Sequence, residues 1–523
     1  MSCIWGPALQ GFQIRSYDPT DHDRFTGTIG APMKNPNQLF ANLDLTGVGW
    51  RQGVGDIECA LVSRQHVVFA THFAGELQNK TIVFLNTSNQ LVTKSAPTKV
   101  TIMDGADATD LTILTLSSPI DADAGVEPLP YLDLQNFNQY KNKTIGIVGQ
   151  GPLQNQIQVI GRDIIDAIEP APITVNSGTI GNLTTKYSRF SYVVDSGTAD
   201  EGYYEVGDSG SPSFVETNGR AALVGVHSFY GSDGPPVTTY ELYDCFIPYY
   251  IPQLDAQMAP LGYRMRPVNA SATTLSGAAS VVETTPRRLH PLTLEFDLTN
   301  TGANLTGNLE VEFVFPAGQE PDTVAAAGWV TYGSGTKWTL RKATLASSAT
   351  ATLTATWAEA PAVASLTPTL VWRSDTVTDQ SVSPVIALAP SYAEWSAGLS
   401  LVGEQEDPDD DTLVNLLEYA FGGDPESGAL TDSNGEPLLP SVSSDGSNVT
   451  LRFPEREDAA ARGLSYTVWY STGLDTWTDV PPAGAVSNTA VFIPDIDGFV
   501  ERIVTWPDTE LKRFVRVAVT LDE

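Results

Sequence analysis

The amino-acid sequence predicts a mainly β protein built from several domains. At 523 residues the chain is longer than one hydrophobic core usually serves, so two to four domains are expected. Its 44 glycines and 35 prolines suit many short strands joined by tight turns. Apolar and polar residues alternate in many short runs, for example over residues 292–298, whereas long amphipathic helical stretches are scarce.

Charge narrows the range of partners. The chain has 62 acidic and 29 basic residues, a net charge of −33. Residues 401–523 hold 24 of the acidic and 7 of the basic residues, a net charge of −17. Such a surface repels nucleic acid and anionic membranes, so neither is expected as a partner. No run approaches the roughly 18–20 apolar residues of a membrane helix, so membrane insertion is not expected either.

Composition divides the chain into four parts. Residues 1–262 alternate short β segments with Gly, Pro and Asn, and a short closing helix is predicted over residues 249–258. Residues 263–287 are small and polar, which is typical of a linker. Residues 288–388 return to alternating strands, enough for an immunoglobulin-like β-sandwich. Residues 389–523 form a C-terminal module with two helical pieces, an acidic loop and further strands.

Three segments of the first part carry candidate catalytic residues. His72 closes an apolar strand, Asp110 directly precedes an alternating strand, and Ser209 lies in the string Gly-Asp-Ser-Gly-Ser-Pro. A serine hydroxyl is a poor nucleophile unless a base activates it. Histidine can take and return a proton near neutral pH, and a buried carboxylate can hold the imidazole in the required tautomer. The three residues therefore predict nucleophilic catalysis.

Rival residues exist for two of these roles. His66 lies six residues before His72, but it begins the strand instead of ending it, so we predict a structural role. Asp104 and Asp107 compete with Asp110, yet only Asp110 directly adjoins the alternating strand.

Together, the three segments resemble the chymotrypsin/trypsin family of serine proteases, in its bacterial secreted type, over about residues 40–255. The resemblance implies a double β-barrel fold and an endopeptidase that hydrolyses protein or peptide substrates through an acyl-enzyme. It makes Ser209 the nucleophile and His72 the general base and then acid, with Asp110 orienting His72. The backbone N–H groups of Gly207 and Ser209 would form the oxyanion hole.

The predicted substrate pocket departs from the trypsin pattern. Tyr203, followed by Tyr204, stands six residues before Ser209, where trypsin-like members place an aspartate, so a preference for Lys or Arg is not expected. His227 resembles the pocket histidine of bacterial glutamyl endopeptidases, which pairs with a substrate carboxylate. An acidic specificity, a medium apolar pocket and a hydrogen-bonded core histidine all stay open. The residues predicted to bind substrate are Tyr203, His227, Ser228 and Phe229.

Other departures concern activation and disulfides. Phe73 follows the histidine where animal members usually have a cysteine, and Asp208 is predicted to be structural. No basic residue is followed by two β-branched residues and two glycines, so activation by cleavage and a constitutively folded pocket both stay open. At most one internal disulfide can form, and its pairing is open. The cysteines are Cys3, Cys59 and Cys245.

An acidic run over residues 407–418 predicts a structural Ca²⁺ site. It places oxygen-bearing side chains at loop positions 1, 3, 5, 9 and 12, a spacing that can surround one ion. The run resembles EF-hand-type or dockerin-like calcium loops of bacterial exported proteins. Thr412 replaces the usual glycine, and the alternative is a solvated acidic turn. The predicted ligands are Asp407, Asp409, Asp411, Leu413 through its carbonyl, Asn415 and Glu418.

The function predicted from these features is that of a secreted or cell-surface serine endopeptidase. Its later modules would serve for docking or surface attachment, and no signal peptide is expected within this chain. Catalysis needs no cofactor in this interpretation, since the five histidines are scattered. The alternative is a non-catalytic binding or adhesion protein on a protease scaffold. A lipase-type elbow is excluded, because the Asp and His candidates precede the serine.

Overall fold

A computed structural model describes residues 11–28, 30–53, 57–151, 158–178, 180–428, 439–491, 498–508 and 514–522. The protein is mainly β, as predicted. The first 20 strands are β1 (Gln13–Ile14), β2 (Phe25–Thr28), β3 (Ala31–Lys34), β4 (Val48–Arg51), β5 (Glu58–Ser63), β6 (His66–Ala70), β7 (Thr81–Leu85), β8 (Leu91–Ser95), β9 (Thr98–Asp104), β10 (Asp107–Thr115), β11 (Thr144–Gly149), β12 (Val159–Ile164), β13 (Ala167–Ile168), β14 (Ile173–Asn176), β15 (Asn182–Thr185), β16 (Tyr187–Val193), β17 (Gly202–Tyr203), β18 (Pro212–Thr217), β19 (Arg220–Ser232) and β20 (Thr239–Phe246). The helices of this half are α1 (Pro19–His22) and α2 (Ile251–Met258).

Two seven-stranded antiparallel sheets form the N-terminal half. The first has the strand order β8-β7-β4-β5-β6-β10-β9, and the second has the order β12-β11-β18-β19-β20-β16-β13. Both sheets curl, and the predicted double β-barrel is confirmed. One buried core joins them, with Val68 and Leu111 from the first sheet and Phe214 and Tyr243 from the second. The predicted closing helix is present as α2, which packs Leu254 and Met258 into that core.

The two sheets bring the end of β6 close to parts of β10 and β19. The sequence of β6 is a continuous apolar run, and the whole strand is buried, as expected for a strand with both faces covered. β10 pairs with β6 from Leu111 to Thr115, so the residue before Leu111 lies beside the end of β6. β19 contacts β6 from the second sheet. This junction is where the candidate active site lies.

A second unit follows with two sheets around one core. A four-stranded sheet, β21-β22-β27-β24, packs against a five-stranded sheet, β25-β26-β23-β29-β30, through Phe296, Phe313 and Trp372. Its strands are β21 (Leu275–Val281), β22 (Leu292–Asn300), β23 (Leu309–Val314), β24 (Thr323–Ala326), β25 (Val330–Ser334), β26 (Lys337–Lys342), β27 (Thr350–Trp357), β28 (Ser365–Leu366), β29 (Thr369–Ser374), β30 (Val377–Val382) and β31 (Ile386–Ala387).

The predicted linker over residues 263–287 differs from the structure, because it contains β21. This strand pairs with β22 along its whole length. The sequence pattern did not indicate this strand, because several of its residues are small. Packing requires a small residue at Gly277, since a Cβ there would lie 2.5 Å from Cζ of Phe296. Small side chains are needed on this face because the Phe296 ring occupies the space.

The C-terminal module contains the predicted helices and strands. Its helices are α3 (Tyr392–Ser396) and α4 (Asn415–Phe421). Its strands are β32 (Ser441–Ser444), β33 (Asn448–Arg456), β34 (Leu464–Ser471), β35 (Val486–Val491), β36 (Phe499–Pro507) and β37 (Phe514–Leu521). They form a four-stranded sheet, β32-β33-β36-β35, and a two-stranded sheet, β34-β37. Within the described ranges, no helix is long and apolar enough to cross a membrane.

Candidate active site

His72 and Asp110 form a hydrogen-bonded pair at the end of β6. His72 lies in the 3-10 turn Thr71–Glu76 that directly follows the strand. Its Nδ1 atom lies 2.9 Å from Oδ1 and 2.8 Å from Oδ2 of Asp110, and its backbone N–H also donates to Oδ1 at 2.9 Å. Asp110 is buried, so the carboxylate is fixed on one side of the imidazole ring. Because Asp110 holds Nδ1, Nε2 is the ring nitrogen that can accept a proton.

Ser209 faces that nitrogen. Its Oγ atom lies 2.9 Å from His72 Nε2, within hydrogen-bond reach of a base. Ser209 is half-buried, in the turn between β17 and β18. Two hydrogen bonds fasten the turn to β19, from the Gly210 N–H to the His227 carbonyl and from the His227 N–H to the Ser211 carbonyl, both at 2.9 Å. The structure thus brings the three predicted catalytic residues together.

Glycines shape the nucleophile turn. Gly207 has φ = +114° and Gly210 has φ = +98°, values that other residues rarely adopt. Any Cβ on Gly210 would also overlap the Phe69 ring of β6. Among the described residues, the backbone N–H groups of Gly207 and Ser209 donate to no backbone carbonyl, so both stay available for a developing oxyanion.

Asp208 supports the turn from behind. Its side chain is fully buried, and it accepts hydrogen bonds from the backbone N–H groups of Gln150 at 2.7 Å and Glu205 at 2.9 Å. Burial raises the pKa of this carboxyl to about 6, although the two amides lower it. The side chain points into the protein, in keeping with the predicted structural role.

Two further residues hold Asp110, and sequence reasoning did not find this role for either. Ser228 donates a short hydrogen bond to Asp110 Oδ2, and Thr185 Oγ1 accepts from the Asp110 N–H at 2.7 Å. Ser228 had been predicted to bind substrate. Because Asp110 lies where the pairing of β10 with β9 shifts register, between Ala108 and Thr112, its backbone N–H is free to reach Thr185. In the sequence, only the position of Ser228 beside His227 pointed to a role in the site.

The fold of the N-terminal half is that of the chymotrypsin-like serine proteases. Residues 51–249 match the family model described as Trypsin. This match confirms the resemblance to the trypsin family that the sequence shows in this part of the chain. No curated protein matches the chain.

Solved structures with a similar chain path include two named proteins. A mutant of human heparin binding protein is 15% identical with a TM-score of 0.30, and the match covers 45% of this chain and 95% of that one. The secreted serine protease VesC from Vibrio cholerae is 11% identical with a TM-score of 0.29, and the match covers 91% of this chain and 96% of that one.

The residues predicted to bind substrate lie in different settings. His227 is fully buried: Nδ1 lies 2.7 Å from Asp244 Oδ1, and Nε2 lies 2.9 Å from the Val148 carbonyl. A substrate carboxylate cannot reach a ring whose two nitrogens are already bonded inside the core, so the structure corresponds to the core-histidine alternative. Tyr203 stacks on Tyr240 with ring centroids 4.1 Å apart. Phe229 stacks on Tyr243 at 4.5 Å.

The rival residues lie away from Ser209. His66 is buried, with its Nδ1 2.7 Å from Ser63 Oγ. Asp104 and Asp107 face each other across the β9–β10 turn.

Phe73 follows His72, where animal members of the family usually have a cysteine. Its ring stacks against the rings of Phe69 and His72.

The cysteines do not form a disulfide among the described residues. Cys59 and Cys245 are both free and buried, and Cys3 lies outside the described residues. Burial raises the pKa of both thiols, so neither is a reactive thiolate.

The acidic loop forms a second cluster, far along the chain from Ser209. Carboxylate oxygens of Asp407, Asp409 and Asp411 lie within 4.8 Å of one another. Asn415 and Glu418, both buried on α4, each have one side-chain oxygen without a hydrogen-bond partner, as do Asp409 and Asp411. Burial and the neighbouring aspartates together raise the pKa of the Glu418 carboxyl to about 7. Thr412 has φ = +78°, the conformation for which such loops use glycine.

Proposed function

We propose that the chain is a serine endopeptidase that uses Ser209, His72 and Asp110. The distance of 2.9 Å between His72 Nε2 and Ser209 Oγ carries the proposal, together with the carboxylate on the opposite ring nitrogen. A serine protease is the coarser conclusion that the trypsin-family match supports.

The proposed reaction follows from the positions of these atoms. Ser209 Oγ attacks the carbonyl carbon of a peptide bond while His72 Nε2 takes its proton. The resulting oxyanion lies against the N–H groups of Gly207 and Ser209. His72 then gives the proton to the leaving amine. In the second half, water attacks the acyl carbon while His72 takes its proton, and His72 returns the proton to Ser209 Oγ as the bond between the acyl group and Ser209 breaks. Asp110 stabilises the imidazolium in both halves.

Peptide cleavage tests the proposal. The full chain and Ser209→Ala are incubated with a peptide library, and the products are identified by mass spectrometry. We expect cleavage by the wild type and a loss of at least about 10⁴-fold in the variant. Ser196→Ala, which changes an exposed serine, is the matched control and should cleave like the wild type. Equal cleavage by wild type and Ser209→Ala would contradict the proposal.

We also propose that the acidic loop binds one structural Ca²⁺. The donor set fits the ion: the oxygens are hard ligands, and four of them are buried and without hydrogen-bond partners. Asn415 Nδ2 donates to the carbonyls of Leu401 and Gly403 at 2.8 and 2.9 Å, which turns its Oδ1 away from them. The two other predicted ligands, Asp407 and the Leu413 carbonyl, would complete the shell. When bound, the ion would neutralise the mutual repulsion of the acidic groups.

Melting with and without calcium tests the site. We expect Ca²⁺ to raise the Tm of the C-terminal module and EDTA to reverse the effect. Asp409→Asn should abolish the shift. Asp410→Asn is the matched control, since it removes the same charge from an exposed residue of the same loop outside the predicted ligand set. A shift that survives Asp409→Asn, or is lost in both variants, would contradict the proposed ligand set.

We further propose that the protein acts outside the cell and that its later domains attach it to a surface or matrix. The net charge of −33 and the proposed Ca²⁺ site are compatible with this location. Detection of the protein in the culture medium of the producing cells supports the proposal, and strict retention in the cytoplasm contradicts it.

A further inference from the structure

A buried tyrosine stands beside the nucleophile turn. Tyr204 is five residues before Ser209 and only 2% exposed. Its ring lies parallel to the His227 ring, with centroids 4.3 Å apart. The backbone of His227 is hydrogen-bonded to Gly210 and Ser211, the two residues that follow the nucleophile. Tyr204 therefore occupies the space between the chain that precedes Ser209 and the β19 strand beside it.

The hydroxyl group of Tyr204 fixes the ring in this space. It accepts a hydrogen bond from the Tyr243 N–H at 2.6 Å and lies 2.7 Å from the Tyr243 carbonyl and 3.0 Å from the Phe229 carbonyl. These groups are free because the pairing of β19 with β20 shifts register between His227 and Phe229. The tyrosine hydroxyl thus replaces the missing ladder bonds, and moving the ring would leave buried polar groups without partners.

The partner of Tyr204 is equally fixed. His227 is held by Asp244 and by the Val148 carbonyl, and Asp244 also accepts a short hydrogen bond from Ser213. Two stacked rings, each hydrogen-bonded at its polar end, therefore close the space between β19 and the residues before Ser209. The stack therefore lies next to the turn that carries Ser209.

We infer that Tyr204 fills the primary specificity pocket and restricts cleavage to bonds that follow a small residue such as Gly, Ala or Ser. The inference rests on the proposed peptidase activity and names its substrate class. It differs from an acidic or medium apolar preference, because both of those need space that the Tyr204 ring occupies.

Matched peptide nitroanilides test the substrate class. They differ only in the residue before the cleaved bond, which is Ala, Leu, Phe or Glu. For the wild type we expect kcat/KM for Ala to exceed the other values by at least about tenfold. Tyr204→Gly should shift the Phe-to-Ala ratio by at least about tenfold towards Phe. A wild type that cleaves after Leu, Phe or Glu at least as fast as after Ala would overturn the inference.

Two variants control for indirect effects. Tyr204→Phe keeps the ring and should keep the preference for Ala. Tyr332→Ala removes an exposed tyrosine of the second unit, outside the predicted substrate-binding residues, and should leave the ratio unchanged. A ratio that shifts equally in Tyr332→Ala and Tyr204→Gly would overturn the assignment to Tyr204.

A binding measurement separates this inference from the proposed activity. p-Cresol has the shape of the tyrosine side chain, and an engineered cavity of this kind binds small aromatic molecules. Calorimetry should detect binding of p-cresol to Tyr204→Gly and not to the wild type. If neither the wild type nor any variant hydrolyses a substrate or reacts with a fluorophosphonate, the proposed activity fails. Binding of p-cresol would still show whether the Tyr204 ring fills the pocket. Binding to the wild type, or to neither protein, would overturn the inference.

Discussion

His66 and His72 show how neighbouring side chains decide the chemistry of one residue type. His72 has a carboxylate on one ring nitrogen and a serine hydroxyl on the other. His66 is enclosed by the core, bonded to Ser63 and edge-on to the Tyr263 ring. Burial lowers the pKa of His66 to about 4, so His66 is neutral near pH 7. His72, in contrast, has a carboxylate beside it that can stabilise a protonated ring.

His66 should therefore make stability fall in acid. Its folded-state pKa of about 4 lies below the unfolded value of about 6.5, so its contribution is fully present above pH 6.5 and is lost as pH falls from 6.5 to 4. The loss amounts to about 3 kcal/mol in the free energy of unfolding. In His66→Gln this part of the pH dependence should disappear, while peptide cleavage at pH 8 remains. Urea unfolding at several pH values measures it. Parallel curves for wild type and variant would contradict the account.

Ser228 should act as a positioning residue through Asp110. Removing its hydroxyl takes away one charge-assisted hydrogen bond, so we expect Ser228→Ala to lower kcat about tenfold with little change in KM. The same fall should appear in the rate of fluorophosphonate labelling, which needs no peptide. A raised KM with unchanged kcat would instead indicate contact with the substrate, and Ser228→Thr should restore part of the rate.

At the scale of elements, alternation and apolar runs predicted much of the fold. The predicted alternating run over residues 292–298 lies in β22, which begins at the same residue, because apolar and polar residues alternate along it. β21 was missed because Gly277 and Ala279, in the middle of its core-facing side, carry little hydrophobic signal. The order of three segments predicted the Ser209 cluster. The roles of Ser228 and Tyr204 could not be predicted, because they depend on a register shift between β19 and β20.

The small-residue face of β21 gives a direct test of its packing. Gly277→Val would push side-chain atoms into the Phe296 ring, so we expect a loss of about 1–3 kcal/mol in the free energy of unfolding. Ala278→Val changes the exposed neighbour and should stay within about 0.5 kcal/mol of the wild type. Thermal unfolding of the full chain measures both. An equal effect of the two variants would contradict this packing.

At the scale of the whole molecule, the N-terminal half contacts the following unit through polar and aromatic groups. The guanidinium of Arg341 lies 5.2 Å from the centre of the Tyr263 ring and bonds Glu310 at 3.0 Å. The Arg264 N–H donates to Asn308 Oδ1 at 2.8 Å. A cavity of about 660 Å³ lies beside these residues. These interactions of Arg341 and Arg264 connect the N-terminal half to the second unit.

Arg341 should stabilise the second unit through its contacts with Glu310 and with the Tyr263 ring. Arg341→Met leaves the buried Glu310 with Arg373 as its remaining partner, so we expect a loss of about 2–3 kcal/mol, seen as a lower melting transition of the second unit. Arg452→Met breaks an exposed pair with Glu501 and should cost less than about 1 kcal/mol. Calorimetry of the full chains distinguishes the two. Equal shifts would contradict a special role for Arg341.

The activation of Ser209 by His72 is the central claim, and covalent labelling measures it most directly. Wild type, His72→Ala and Ser209→Ala are treated with a fluorophosphonate probe in the presence of Ca²⁺, and the modified peptide is identified by mass spectrometry. We predict labelling of the wild type at Ser209 alone, none in Ser209→Ala, and a fall of at least about 10³-fold in His72→Ala. Folded wild-type protein that does not label, or that labels at another residue, would contradict the account.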